Sequence, residues 1–124
     1  MATKGGGLRF EGEFTTDGAG AATVDMVIPA AATRARKANP ITTTGWRVLR
    51  AVIGNAHLTT PLTGGTAVLK DNAGAGQTIL TFTQATDGTK KEMGEPDTDI
   101  VGNLRITVAS GGATKKGQYL VEVG

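Results

Sequence analysis

Within these 124 residues there is one histidine, His57, and one serine, Ser110, so any serine nucleophile with an imidazole base has to be this pair. Such a pair works only when the imidazole lies within hydrogen-bond reach of the hydroxyl and is itself oriented by a third group. Ser110 stands in Ser110-Gly111-Gly112, the composition of a hairpin turn, where its hydroxyl is expected to support the turn. His57 is expected to be a solvated or partly packed residue at a strand end. No catalytic residue is assigned. The sequence has no cysteine, which removes disulfides, iron–sulfur clusters and thiolate zinc sites from consideration.

Oxygen ligands come closest to a metal motif at Glu95, Asp97 and Asp99, in the segment GEPDTDI. A calcium loop also needs a glycine at its sharp turn and a bidentate glutamate at its end, and neither is in place. The expected role is a polar loop whose Asp side chains bond their own backbone. Two glycine-rich stretches, 5–7 and 71–78, lack the Gly-Lys-Ser/Thr ending of a phosphate loop and lead into no helical pattern, so they read as tail and hairpin glycines. No cofactor is implied.

Arg34, Arg36 and Lys37 form the densest basic cluster, in a stretch without clean periodicity that ends at Asn39-Pro40. A helical turn or two is conceivable over 30–37; the expectation is a loop or arm. The cluster could meet phosphate or an acidic protein surface, but three cations and a net charge of +2 do not by themselves imply nucleic acid, and none is expected as a partner. Aromatic residues make up only 4%, so a base-stacking or sugar-stacking platform is absent too. Trp46 is expected in the core.

The elements that must position these residues read as strands. Leu8, Phe10, Gly12 and Phe14 alternate with Arg9, Glu11 and Glu13; Val24, Met26 and Ile28 alternate up to Pro29. In the longest candidate, 46–53, Trp46, Val48 and Val52 alternate with Leu49, Ala51 and Ile53, and Arg50 interrupts the first set. Both faces are largely apolar, which predicts a central strand or one covered on both sides. Shorter strands follow at 67–69, 79–82, 90–93, 104–108 and 119–123, separated by glycine and Asn/Asp turns. About eight strands and little helix predict a single all-β domain, an antiparallel β-sandwich or jelly roll, with residues 1–7 as a flexible N-terminal arm. No apolar run approaches the ~20 residues that cross a bilayer, and the first residues lack a secretory pattern, so no membrane partner is expected.

The order of pieces from Gly45 onward, GWRVLRAVIGNA, TAVLKDNAGAGQTI, GNLRITVASGGA and QYLVEVG, resembles the head decoration or cement proteins of tailed bacteriophages and related small all-β virion proteins. The upstream VDMVIPAAA is similar as well. The polar GEPDTDI loop departs from that pattern, where such proteins often carry further charged strands. The resemblance implies a non-enzymatic structural protein, made in the host bacterial cytoplasm and bound to the outer surface of the virion capsid. There it would bridge subunits of the major capsid protein, often as a homotrimer. On that reading Lys4, Leu8, Arg34, Arg36 and Lys37 are the expected capsid contacts. A phage tail or fibre module and a host-surface or carbohydrate-binding module are the alternatives; the last would need exposed aromatics, which the sequence scarcely offers.

Overall fold

The computed structural model describes residues 2–3, 7–29, 46–55, 59–94 and 98–124. Ten strands lie among them: β1 (Ala2–Thr3), β2 (Gly7–Thr15), β3 (Ala22–Met26), β4 (Arg47–Gly54), β5 (Thr66–Lys70), β6 (Thr78–Thr83), β7 (Lys90–Glu92), β8 (Thr98–Asp99), β9 (Leu104–Ala109) and β10 (Lys116–Val123). A 3-10 turn at Asn72–Gly74 follows β5, and one helical turn, α1 (Gln84–Asp87), follows β6. Each of the eight expected strands is present. The two additions, β1 and β8, are two residues long, too short to show a period.

All strand pairs are antiparallel and fall into two sheets, one in the order β1-β2-β10-β4-β7 with β8 also on β4, the other in the order β3-β9-β5-β6. Leaving the two short strands aside and counting the rest along the chain, the sheets read first-eighth-third-sixth and second-seventh-fourth-fifth. That is the jelly-roll order, two interleaved Greek keys in which the first long strand lies beside the last.

The core follows from the period of two. Phe14 on β2, Val121 and Val123 on β10, and Ala51 and Ile53 on β4 face Met26, Leu69, Phe82, Leu104, Ile106 and Val108 from the other sheet, all of them buried. Trp46 is buried with them, as expected. Two glycine–aromatic pairs knit β2 to β10, with Gly12 opposite Tyr119 and Phe14 opposite Gly117. A side chain at Gly117 would overlap Phe14 Cζ, so the glycine is there to let the ring lie across the neighbouring backbone.

In β4 the pairing with β10 passes from Glu122 opposite Arg50 to Val123 opposite Val48, which leaves Leu49 as an extra residue. This bulge resolves the doubly apolar pattern of the strand and corrects its expected faces. Val48, Ala51 and Ile53 all point into the core, whereas Val52 points away from it. The strand is central in its sheet, as the pattern predicted.

Part of the expected N-terminal arm is strand: Ala2 and Thr3 pair with Leu8 and Gly7. Lys4, Arg34, Arg36, Lys37, His57, Glu95 and Asp97 lie outside the described residues.

One end of the sandwich is bound together by hydrogen bonds among four loops. Thr16 Oγ1 donates to the Gly112 carbonyl at 2.6 Å and accepts from the Lys115 N–H at 2.7 Å. Buried Asn55 accepts from the Leu62 N–H at 2.6 Å and donates to the Leu62 and Gly88 carbonyls. At this end Ser110 occupies a positive-φ turn position, φ 59°, on the rim of the loops.

Candidate interaction faces

Three places on the described surface have enough organisation to act on a partner: a cleft around Asp71, the outer face of the six-stranded sheet, and the outer face of the four-stranded sheet. The cleft, about 470 Å3, is lined in part by Asp71, Asn72, Gln77, Asp99 and Val101. Its buried carboxylate is already committed. Asp71 accepts from the N–H groups of Asn72 at 2.6 Å, Val101 at 2.7 Å and Gly102 at 3.1 Å, and so ties the turn after β5 to the segment after β8. Among the described residues no group of three His, Cys, Asp or Glu could hold a metal ion. Of the expected acidic alternation, Asp99 is on β8, half-buried.

The outer face of the six-stranded sheet is built from the outward positions of β2, β10, β4 and β7. Across the strands, Glu11 stands beside Leu120, Leu120 beside Val52, and Val52 beside Glu92; the next row holds Glu13, Gln118, Gly54 and Lys90. The centre is therefore apolar and the periphery ionic. Arg50 Nε donates to Glu92 at 2.8 Å and its guanidinium lies 4.0 Å from Glu122, while Arg9 pairs with Glu11 at 3.2 Å and Lys116 with Glu13 at 3.5 Å. The hydrogen bond that Arg50 donates to Glu92, then the charge of Glu92 and that of Glu122, raise the already high pKa of Arg50, so this cation persists throughout the accessible pH range.

Gly54 cuts a step into this face. A groove of about 270 Å3 runs over Val52, Gly54 and Leu120 between Arg50 and Lys90. Further along β4, Leu49 is 39% exposed because the bulge turns it outward. The pattern that predicted cover on both sides of β4 thus ends at Val52 and Leu49, which no described strand covers.

The outer face of the four-stranded sheet is different in kind. One row across all four strands reads Thr23, Thr107, Val68, Thr81, and the next reads Ala109, Thr66, Thr83. Charge is confined to the third row, where Arg105 Nε bonds Asp25 at 2.6 Å beside Lys70.

Of the expected contact residues only Leu8 is described; it sits on β2 opposite Val123, partly buried against the core. The groove was not singled out in the sequence, although the doubly apolar β4 was its signal. Its second half, Leu120, is outward only because Tyr119 and Val121 are inward.

No protein-family model matches the chain, and no curated protein matches it. Among solved structures, it is similar to a chain from Bacillus endospore appendages, described as a novel family of disulfide-linked pili. The likeness has a TM-score of 0.51 at 15% identity and covers 94% of this chain and 83% of that one. At this identity the likeness is one of fold, and fold alone does not carry function.

Proposed function

We propose that this chain is a non-enzymatic structural protein that binds the outer surface of a phage capsid and stabilises it by bridging major capsid protein subunits, with a trimer as its working form. The observation that carries the reading is the uncovered apolar centre on β4 and β10. Val52 and Leu120 lie in a groove ringed by paired charges, the arrangement of a desolvated contact core within a polar rim. The virion setting itself rests on the sequence resemblance.

Binding of this kind needs no chemistry. A protein that binds the assembled shell and not its dissociated subunits stabilises the shell by mass action, about 2.7 kcal/mol per site when its free concentration is a hundred times Kd. The test is to mix purified protein with undecorated heads and measure occupancy. Leu120→Lys puts a charge into the groove and should weaken binding about thirtyfold or more, the ~2 kcal/mol of a central contact. Gly54→Ala is the gentler probe, because the added methyl would meet its nearest neighbour, the Thr89 carbonyl, at 3.6 Å, an ordinary contact, and only make the groove shallower. Occupancy unchanged in both variants refutes the groove as the docking site, and no binding by the unaltered protein refutes the capsid reading.

A second reading is favoured by the structural neighbour: a subunit of a fibre. The neighbour's pili are disulfide-linked, whereas this sequence has no cysteine, so a fibre of these residues alone would be held without disulfides. Filaments in electron micrographs of concentrated protein, together with no occupancy on heads, would select it.

A further inference from the structure

We infer that the groove on the six-stranded sheet receives an acidic residue flanked by a large aliphatic one on the partner protein, with Lys90 and Gln118 holding the carboxylate. The inference rests on the reading of this groove as the docking site, and names what docks there. Around the groove the carboxylates are already matched: Glu11 by Arg9, Glu13 by Lys116, Glu92 and Glu122 by Arg50. Lys90 stands outside these pairs. Among the described residues its ammonium makes no ion pair, and the side-chain amide of Gln118 makes no hydrogen bond.

These two side chains flank one gap. In the row Glu13, Gln118, Gly54, Lys90, the glycine puts no side chain between them. A methyl built on Gly54 would lie 3.7 Å from the Gln118 amide oxygen and 4.0 Å from Lys90 Cβ, so both side chains border the space above the glycine. The ammonium offers three donors, and rotation of the Gln118 amide turns its NH2 group toward the same space. A carboxylate over Gly54 accepts from both at once. An incoming ammonium or guanidinium would instead meet the charge of Lys90 and find the neighbouring carboxylates taken. In the adjoining row Val52 and Leu120 supply the apolar floor for a neighbouring aliphatic side chain.

The volume selects the source. At about 270 Å3 the groove is smaller than the ~300–1,000 Å3 pockets that enclose free small molecules, and it suits side chains presented by a protein surface.

The experiment has two arms. On undecorated heads, Lys90→Glu should weaken binding about tenfold or more with thermal stability retained, because Lys90 is exposed on β7. Lys90→Arg should keep the binding, and Lys70→Glu, the same change of charge on the other sheet, should leave it within about twofold. Without heads, amide chemical shifts of the isolated protein are followed with two blocked dipeptides, acetyl-Leu-Asp amide and acetyl-Leu-Asn amide, up to about 20 mM, a span chosen for weak binding. The acidic dipeptide should move Val52, Gly54, Lys90, Gln118 and Leu120 at concentrations about fivefold or more below those the neutral one needs, and Lys90→Glu should remove that difference. Heads that bind Lys90→Glu as well as the unaltered protein overturn the inference and leave the docking reading standing. Heads that bind no protein at all refute the docking reading, and the dipeptides then decide the preference of the groove by themselves. Equal responses to the two dipeptides, or none at the groove, overturn it.

Discussion

Asp71 shows how much one buried side chain can hold. Its two carboxylate oxygens receive three backbone N–H groups from two loops, which the Ala73 N–H bond to the Asn103 carbonyl also joins. Asp71→Ala strands those donors and should cost about 3 kcal/mol, read as a drop in the urea midpoint with the slope unchanged. Asp17 does a similar task in full solvent, accepting from Ala19 at 2.8 Å and Ala21 at 3.0 Å. The Ala21 bond first, and the Ala19 bond next, hold its pKa below the ordinary carboxylate value. A carboxyl depressed in the folded state contributes stability that is complete above its unfolded value, near 4, and is lost as pH falls through the lower folded value. Urea midpoints measured from pH 5 down to about pH 2 should fall less steeply in Asp17→Asn than in the unaltered protein. An Asp-Gly pair between two alternating segments, as at Asp17-Gly18, marks a turn in the sequence itself because its chemistry is local. The reach of Asp71 to Val101 has no such mark, since nothing near residue 71 announces a partner thirty positions away.

At the scale of elements, the strands were legible because each carries its own period, and the pairings were not. The bulge in β4 shows why. One added residue, Leu49, reverses the facing of every residue beyond it, and only the neighbouring β10 reveals where the reversal falls. On its other side β10 carries the glycine–aromatic contacts with β2. Gly117→Ala would push a methyl into Phe14 and to 2.9 Å from the Gly54 carbonyl, which should destabilise the protein by about 1–3 kcal/mol. Thermal unfolding of Gly117→Ala beside Gly18→Ala, where the added methyl meets nothing within 4 Å, checks that the loss comes from crowding. Among the described strands β6 is an edge of its sheet, and that edge is also managed locally. Asp87 of α1 accepts the Thr83 N–H at 2.7 Å, and a register shift lies between the pairings of Leu69 and Lys70, two devices that discourage edge-to-edge growth.

For the whole molecule, the two outer faces divide the surface by chemistry: an apolar groove within paired charges on one side, neutral threonines on the other. A sequence read with a period of two contains both lists, yet it does not say which strands stand side by side. Leu120 and Val52 become a groove only because the last strand lies next to the third long one. The jelly-roll order has a further consequence, in time. Leu8 pairs with Val123, so the first long strand has its neighbour at the far end of the chain. Closing so large a loop is entropically costly, and contacts of such separation slow the search for the native state. During synthesis β2 waits, its apolar side uncovered, until β10 has left the ribosome; the six-stranded sheet, with the groove it carries, is complete only then.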